Sequence, residues 1–325
     1  MTLAITLAAA GGPEVLQPCD IEVPAPGRGE ALVRQTHVGV NYVDIYFRSG
    51  LYPLPGFPAT LVLEGAGVVA SLGPETDDLK VGDRVAYAGY PLGAYAQERV
   101  LPASRLVRVP DAIDLRTACG AMARGLTAHL LLHKVAALQV GDWVLVHAAA
   151  GGVGQLVAGW ARRLGLRVVG TVGSPAKADV ARAAGAEAVV LHRDPNWVDA
   201  VRRIADGRGV QLAIDGIGGA MLAQTLGAVR PFGVVASIGQ PAGPIPPVAV
   251  EALSYPRSIA LARPSLLAYA NDPVLYREGA RDLFAALAEG LVVHVGAEYA
   301  LREAARAYVD LEAGRTTGSV LLTID

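Results

Sequence analysis

The sequence has 325 residues, 52% of them hydrophobic and 18% charged, which is the composition of a globular protein of about two domains. The formal net charge of −2 gives no field that would attract nucleic acid or an anionic membrane surface. The two cysteines, Cys19 and Cys119, are too few for a disulfide framework or a four-cysteine metal site. The N-terminus lacks a basic signal region and no apolar run could span a bilayer, so we expect a cytoplasmic protein without a membrane partner.

The predicted elements change character along the chain. Residues 1–123 contain short β-like runs separated by glycine and proline, such as ALVRQTHVGV, and predict a β-rich domain. From residue 124, apolar runs alternate with helical patterns and predict a parallel sheet covered on both faces. These runs are WVLV, LRVVGTVG, AEAVVLHR, QLAIDGIG, GVVASIGQ and SIALARP. After residue 264 an amphipathic helix and a final strand follow, and we assign 265–325 to the first domain and 124–264 to the second.

A glycine turn follows the first apolar run of the second domain. A strand, a tight turn and a helix leave free backbone N–H groups at the positive end of the helix dipole, where a pyrophosphate binds well. Aligned on the dinucleotide pattern G-x-G-x-x-G, the sequence has Ala149-Ala150-Gly151-Gly152-Val153-Gly154, so an alanine replaces the first glycine. Such a turn can also be a plain strand-to-helix connection. The succession of βα units favours a dinucleotide site.

The end of the second strand indicates which dinucleotide binds. NAD-specific domains carry an acidic residue about 20 positions past the turn, for the ribose 2′-hydroxyl. This sequence has instead a glycine, a hydroxyl and basic residues, namely Gly173, Ser174, Lys177, His192 and Arg193. Such groups suit the 2′-phosphate of NADPH. Ser174 also fits a helix N-cap before Pro175, and Lys177 fits a solvated helix lysine, and both alternatives stay open.

Several motifs together carry a family resemblance. They are GGPEVL at 11–16, GVNYVDIYFRSGLYP at 39–53, VGDRVAY at 81–87, GLTAHLLL at 125–132, HAAAGGVG at 147–154, ARPSL at 262–266 and TTGSVLL at 316–322. Over its whole length the sequence resembles the zinc-free quinone oxidoreductases (zeta-crystallin-like) of the medium-chain dehydrogenase/reductase superfamily. The resemblance implies an α/β fold: a GroES-like β-rich catalytic domain plus a Rossmann domain with a doubly wound parallel sheet. It further implies an active-site cleft between the domains, NADPH as cofactor and a homodimer.

The resemblance also predicts chemistry without a metal. Zinc-dependent relatives carry a catalytic cysteine near the position of Asn41 and a Gly-His-Glu motif where this sequence has Leu63-Glu64-Gly65. His129 and His133 have i, i+4 spacing, but no acidic residue accompanies them in the sequence, and we expect no metal site. Hydride transfer must then depend on positioning, and carbonyl polarisation on hydrogen-bond donors.

Carried over residue by residue, the resemblance assigns the catalytic positions to Asn41, Tyr46 and Tyr52. A phenol or amide donor can stabilise the oxyanion that forms as hydride adds to a quinone or enone. Packing with a satisfied hydroxyl is the alternative for both tyrosines, and Asp44 is expected to orient its neighbours. The cofactor positions are Asn41, Thr127, Ala150, Gly151, Gly152, Val153, Gly173, Ser174, Lys177, His192, Ile238, Gly239, Gln240, Arg263 and Ser319.

Two departures from the family pattern concern basic residues. Relatives commonly have tyrosine where His192 stands and lysine where Arg124 stands. Because an imidazole titrates near neutral pH, His192 predicts NADPH binding that depends on pH.

The resulting hypothesis is an NADPH-dependent quinone reductase acting on small quinones. Within the enzymes, the alternative is an NADPH-dependent reductase of activated C=C bonds in 2-alkenals or enones. A third hypothesis is a binding protein that holds NADPH and whose turnover is incidental. The resembled family implies it, because that family includes lens crystallins and proteins that bind AU-rich RNA. The acidic composition disfavours RNA. We expect a homodimer through an edge strand at 258–264, unless the following helix covers that edge.

Overall fold

The structure is a computed structural model that describes residues 1–324. The chain divides into two compact units. The first unit contains residues 1–126, 267–289 and 293 onward, and the second contains 127–266 and 290–292. No helix within residues 1–324 combines the length and the apolar character needed to cross a membrane.

Short strands dominate the first part of the chain, and strands alternate with helices after it. The strands are β1 Thr2–Leu7, β2 Gln17–Ile21, β3 Glu30–Val40, β4 Ala59–Thr60, β5 Glu64–Leu72, β6 Arg84–Ala88, β7 Glu98–Pro102, β8 Val107–Arg108, β9 Trp143–Val146, β10 Arg167–Val172, β11 Ala188–Leu191, β12 Val210–Asp215, β13 Val229–Ser237, β14 Ala260–Ala262, β15 Val295–Ala300 and β16 Ser319–Thr323. The helices are α1 Tyr42–Arg48, α2 Leu115–His133, α3 Gly152–Arg163, α4 Pro175–Ala183, α5 Trp197–Ile204, α6 Met221–Thr225, α7 Leu266–Asn271, α8 Pro273–Ala288 and α9 Ala304–Glu312.

The first unit is built on two sheets. One has the order β2-β1-β4, and the other has the order β15-β16-β3-β5-β6-β8, with β7 also paired to β3. The long strand β3 pairs antiparallel with β5, β7 and β16, and its buried residues Ala31, Val33 and Val38 belong to the core of the unit. Strand β3 ends at Val40, so Asn41 and α1 directly follow the most heavily paired strand of the unit.

The second unit contains one six-stranded sheet of order β11-β10-β9-β12-β13-β14 in which every pairing is parallel. All four residues of β9, WVLV, are buried, as expected for a sheet covered on both faces. This order is that of the doubly wound dinucleotide-binding fold, with its switch point between β9 and β12. The predicted doubly wound parallel sheet of the second domain is confirmed.

Three elements of the C-terminal region were not predicted, namely the short helix α7, strand β15 and helix α9. Strand β15 pairs parallel with β16, and α9 follows it. Strand β15, VGAEYA, has no fully buried position, and α9 buries only Ala304, Ala307 and Tyr308, so neither gives a strong apolar period. The predicted amphipathic helix is α8, capped by Asp272, whose carboxylate accepts from the backbone N–H groups of Val274 and Leu275.

Candidate functional site

The predicted cofactor residues of the second unit lie just past the carboxyl ends of its parallel strands. In open α/β sheets ligands bind at this edge, next to the switch point. Ala150–Val153 follow β9, Gly173–Lys177 follow β10, His192 follows β11, Ile238–Gln240 follow β13 and Arg263 follows β14. Because carboxyl ends of parallel strands share one edge, the fold places these positions on the same side of the sheet.

The glycine turn is tight and partly strained. Ala148 has a φ of 51°, in the left-handed region, and its carbonyl accepts the N–H of Gly151 at 2.8 Å. A Cβ on Gly154 would lie 2.5 Å from the Ala148 carbonyl oxygen, so only glycine lets α3 approach β9 this closely. No side chain caps α3, whose N-cap is Gly151. The first-turn N–H groups of α3 therefore point away from intrahelical acceptors, as a pyrophosphate site requires.

A buried histidine directly precedes this turn and hydrogen-bonds two neighbouring elements. His147 hydrogen-bonds the hydroxyl oxygen of Thr171 at 2.7 Å and that of Thr225 at 2.9 Å. Burial lowers the pKa of His147 to about 3, with a smaller contribution from the neighbouring His192, so the imidazole is neutral. His147 therefore joins the ends of β9 and β10 to α6 without bringing a charge to the turn. Sequence reasoning did not find this residue.

The residues predicted to bind a 2′-phosphate lie at the end of β10 and the start of α4. Ser174 is the N-cap of α4 with Pro175 at the first turn, yet its hydroxyl makes no capping bond. The N-cap position is as predicted, and the side chain leaves the helix end open. A Cβ on Gly173 would lie 3.3 Å from Cε1 of His192, so the imidazole lies against this glycine.

The charges that shift the pKa of His192 are positive. Its pKa is lowered by burial and by the cations of Arg193 and Lys177, with Lys177 reaching it from α4. Its Nδ1 is buried without a hydrogen-bond partner in the described chain. The nearby Asp194 carboxylate accepts the backbone N–H of Asn196. An unused helix end, two cations and an unpaired ring nitrogen fit a bound 2′-phosphate.

The remaining predicted cofactor positions differ in their surroundings. Arg263 donates to the hydroxyl oxygen of Ser237 at 2.7 Å, which joins the ends of β13 and β14. Thr127 is half-buried on α2. Ser319 is 1% exposed and donates its hydroxyl hydrogen to the carbonyl of Gly120, so its one donor is already used within the first unit. Asp215, which was not predicted, ends β12 and accepts from the N–H groups of Ile217 and Gly218.

In the first unit, Asn41 is fixed at the start of α1. It is the N-cap, with extended backbone, and its N–H donates to Oδ2 of Asp44 at 2.8 Å. Its side-chain Nδ2 donates to Oε1 of Glu64 at 2.6 Å. Asn41 is therefore held by both its main chain and its side chain, which agrees with an ordered amide donor.

Glu64 and Arg124 form a buried ion pair next to Asn41. Arg124 Nη1 lies 2.7 Å from Glu64 Oε1, with the two side chains 5% and 0% exposed. Glu64 also accepts the backbone N–H of Ala123 at 2.8 Å. In the sequence, Glu64 stands where zinc-dependent relatives have their histidine motif, and nothing nearby indicates this ion pair. The residues that bind Glu64 lie 23 to 60 positions away in the chain.

The two predicted catalytic tyrosines lie against each other. The rings of Tyr46 and Tyr52 are 5.3 Å apart with an edge-on geometry, and the N–H of Tyr52 donates to the carbonyl of Tyr46 at 2.9 Å. Tyr46 is 7% exposed, whereas Tyr52 is half-buried. Tyr52 is thus the more accessible phenol of the pair.

Asp44 belongs to the first turn of α1 and is fully buried, and burial raises its pKa to about 8. The cluster around it is polar but incompletely paired. Among residues 1–324, Asp44 Oδ1 and Arg48 Nε have no hydrogen-bond partner. Arg48 lies over the ring of Tyr308 and pairs with Glu312. A neutral Asp44 at neutral pH suits its predicted role of orienting Asn41 rather than acting as a carboxylate base.

The candidate metal-binding residues have structural contacts. The rings of His129 and His133 are stacked with centroids 4.3 Å apart, and Nδ1 of His133 lies 3.1 Å from the carbonyl oxygen of His129. Among the described residues both cysteines are free thiols, Cys19 exposed and Cys119 buried in α2.

Comparison with known proteins matches two parts of the chain to family domains. Residues 27–111 match the family model described as the alcohol dehydrogenase GroES-like domain. Residues 152–268 match the model described as zinc-binding dehydrogenase. The first match lies within the β-rich part, and the second begins inside the glycine turn and covers strands β10 to β14.

Full-length relatives are oxidoreductases. A quinone oxidoreductase of Pseudomonas aeruginosa is 42% identical, with 99% of each chain covered. A 2-haloacrylate reductase of Burkholderia is 38% identical, again over 99% of each chain. Among solved structures, Escherichia coli quinone oxidoreductase complexed with NADPH superposes with a TM-score of 0.95 at 35% identity, covering 99% of each chain.

Proposed function

The chain belongs to the quinone oxidoreductase family of the medium-chain dehydrogenase/reductase superfamily, and we propose that it is an NADPH-dependent quinone reductase that works without a metal. The observation that carries the proposal is the end of β10, where an uncapped helix start lies beside Lys177 and His192 and no acidic residue stands at Gly173 or Ser174. A 2′-hydroxyl would need an acceptor there, and a 2′-phosphate needs these donors.

NADPH, when bound, supplies the hydride, and the residues of the chain bind, orient and polarise. The N–H groups at the start of α3 would bind the pyrophosphate, while Ser174, Lys177 and His192 would bind the 2′-phosphate. Asn41 and Tyr52 would donate hydrogen bonds to the acceptor oxygen as it gains charge, with Tyr46 packed behind Tyr52. These roles for individual residues are part of the proposal.

Polarisation by these donors replaces the role of zinc in metal-dependent relatives. Asn41 stands near the position of the catalytic cysteine, and its amide nitrogen is directed to Glu64. In the histidine motif, Leu63 is apolar, and the Glu64 carboxylate already accepts hydrogen bonds from Asn41, Arg124 and the N–H of Ala123. An amide, an alkyl group and a carboxylate neutralised by an arginine are poor zinc ligands, so turnover should resist chelators.

Reduction of an activated C=C bond is the second candidate, favoured by the similarity to the Burkholderia 2-haloacrylate reductase. The chemistry is closely related, because hydride addition to an enone or acrylate also places negative charge on a carbonyl oxygen. The two candidates differ in which acceptor the site positions best.

An acceptor comparison tests the proposal. NADPH oxidation would be measured with 1,4-benzoquinone, a 2-alkenal and 2-chloroacrylate, with product identification. We expect kcat/KM to be largest for the quinone, and about a 100-fold fall in kcat for Tyr52→Phe, which removes one oxyanion donor. Tyr299→Phe, whose hydroxyl normally donates to Asp310, is the matched control and should retain activity. A kcat/KM larger for either C=C acceptor would replace the quinone proposal by the second candidate.

We further propose a cytoplasmic homodimer. Strand β14 lies at the edge of the parallel sheet. Two exposed apolar residues lie near it: Phe232, which is 81% exposed and whose N–H donates to the carbonyl of Ser258, and Tyr255, which is 91% exposed. Unpaired sheet edges with apolar neighbours tend to associate. Two free thiols agree with a reducing compartment. Ala260→Asp should give a monomer by light scattering, and a wild-type monomer would contradict the homodimer.

A further inference from the structure

A buried carboxylate lies directly behind the side chain of Asn41. Glu64 begins β5 and is completely buried, and its two oxygens accept from three donors on two other elements. Oε1 accepts from Asn41 Nδ2 at 2.6 Å and from Arg124 Nη1 at 2.7 Å, and Oε2 accepts from the backbone N–H of Ala123 at 2.8 Å. A buried charge with this many charge-assisted bonds is held in one geometry.

The neighbouring strand makes room for this carboxylate. Gly39 of β3 faces Glu64, and a Cβ added to it would lie 1.8 Å from Oε1. The backbone of Gly39 is not in the left-handed region, so conformational freedom is not the reason for a glycine at this position. Space for Glu64 is the reason, and the same strand delivers Asn41 two residues later.

Arg124 fixes the main chain on the other side of the same residue. Its Nη2 donates to the carbonyl of Val40 at 2.8 Å, and Val40 directly precedes Asn41. The planar guanidinium thereby joins the Glu64 carboxylate and the end of β3 in one rigid unit. The positive charge of Arg124 also balances Glu64 inside the protein.

The carboxylate determines the orientation of the Asn41 amide. An ionised carboxylate only accepts hydrogen bonds, so the Asn41 atom facing Glu64 must be Nδ2. One N–H of Asn41 is then used by Glu64. Its second N–H and its Oδ1 are presented in fixed directions, because the amide cannot flip without facing oxygen to oxygen.

We propose that Glu64 is a positioning residue for the reaction: with Arg124 it locks the amide of Asn41 in the one orientation that offers an N–H to the acceptor oxygen. The proposal rests on the proposed function, in which Asn41 polarises the acceptor. Glu64 itself touches neither substrate nor cofactor. Its effect on the reaction passes through Asn41.

A double-mutant cycle separates positioning from simple structural support. Asn41→Ala, Glu64→Gln and the double variant would be compared by kcat with NADPH and 1,4-benzoquinone, and by thermal unfolding. We expect Glu64→Gln to lower kcat by about 10- to 100-fold in the presence of Asn41, since small misplacements at a reacting centre have effects of this size. In the Asn41→Ala background the same substitution should change kcat by less than about twofold, while it lowers the unfolding temperature in both backgrounds.

Matched controls accompany the cycle. Glu98→Gln removes an exposed ion pair with Arg34, on strands of the same sheet, and should leave kcat unchanged. Gly39→Ala moves the Glu64 carboxylate without altering its charge and should lower kcat as Glu64→Gln does, whereas Gly56→Ala, with open space at its Cβ, should not.

A measurement on the unaltered chain covers the case in which the Glu64 variant does not fold. The side-chain NH₂ signal of Asn41, identified by its loss in Asn41→Ala, should include one proton that is shifted downfield and exchanges slowly with solvent, because it is bonded to the buried carboxylate. Two Asn41 protons with the shifts and the rapid solvent exchange of an exposed asparagine would overturn the proposal, as would equal kcat losses for Glu64→Gln in both backgrounds. If Asn41→Ala leaves kcat unchanged, the proposed role of Asn41 and this inference are both wrong, although quinone reduction by the chain still stands.

Discussion

The two regions that carry the proposed chemistry are built in opposite ways. In the second unit, the positions proposed to bind NADPH lie just past the carboxyl ends of β9, β10, β11, β13 and β14, and we call them the cofactor edge. This edge uses small residues and backbone groups that follow the strands directly, such as the turn at Gly151–Gly154. In the first unit, Asn41 depends on buried charged side chains, with Glu64 and Arg124 at most 5% exposed. A phosphate group brings its own charge and needs only free N–H groups and nearby cations. A neutral acceptor acquires charge only during the reaction, so its donors must be held rigidly beforehand.

The largest expected effect tests the charge of the cofactor edge. Ser174→Asp places a carboxylate at the N-cap of α4, where it should stabilise the helix but repel a 2′-phosphate. The change removes a hydroxyl donor and adds repulsion, so we expect NADPH affinity to fall about 100-fold or more, with NADH affinity changed by less than about threefold. Dissociation constants from fluorescence titration measure both. Equal losses for the two cofactors would show that Ser174 does not lie at the 2′-position.

The next effect concerns the backbone of the glycine turn. Gly154→Ala forces a Cβ to within 2.5 Å of the Ala148 carbonyl oxygen and 2.8 Å of the Ala149 Cα, both of which are backbone atoms. Overpacking of this kind costs about 1–3 kcal/mol, and we expect a lower unfolding temperature together with weaker NADPH binding. Gly56→Ala, which meets no atom within 4 Å, is the control. Unchanged stability of Gly154→Ala would contradict the close approach of α3 to β9.

A smaller effect tests the buried charges of the first unit through pH. The pKa of Asp44 is raised from 3.8 to about 8 by burial, so between these values the folded chain keeps a proton that the unfolded chain has lost. The stability contributed by neutral Asp44 is therefore fully present below pH 3.8 and is lost as pH rises through about 8. In Asp44→Asn, the side-chain amide oxygen can still accept the hydrogen bond from the N–H of Asn41. The amide does not ionise, so this position no longer contributes a pH dependence.

The measurement is the unfolding temperature of both proteins from pH 5 to pH 9. We expect the unfolding temperature of Asp44→Asn to increase relative to that of the wild type as pH rises. At pH 9 the variant should be the more stable protein. A difference independent of pH would mean that Asp44 is already ionised in the folded protein.

The smallest expected effect concerns His192. Its pKa is lowered by burial, Arg193 and Lys177, and a bound phosphate would favour the protonated ring. NADPH affinity should therefore rise as pH falls from 8 to 5.5, by about three- to tenfold over this range, while NADH affinity stays flat. His192→Asn should remove the dependence. NADPH binding that is flat from pH 5.5 to pH 8 in the wild type would leave His192 without a protonation-linked role.

The contrast between the two regions also explains what the sequence could predict. The glycine turn, the end of β10 and the strand order follow from contiguous stretches, because strand, turn and helix are adjacent in the chain. Motifs could therefore name the positions proposed to bind the cofactor, even with Ala149 in place of a glycine, and these residue assignments stay predictions. The family and the fold class predicted in this way are confirmed.

The support of Asn41 could not be predicted, because its partners are distant in sequence. Glu64 lies 23 residues after its partner Asn41, and Arg124 lies 60 residues after its partner Glu64. Nothing in the sequence around either residue indicates these pairings. The one available signal was a charged residue at the start of the apolar stretch LEGAGVV, because a charge placed there requires a partner. His147 was missed for a similar reason, since its partners Thr171 and Thr225 belong to later elements.

The central claim is metal-free hydride transfer from NADPH to a quinone. The most direct test is steady-state oxidation of NADPH and NADH, side by side, with 1,4-benzoquinone as acceptor and with or without a chelator. We expect a strong preference for NADPH and the same rate in the presence of chelator. Turnover abolished by the chelator, or equal rates with NADH, would contradict the claim.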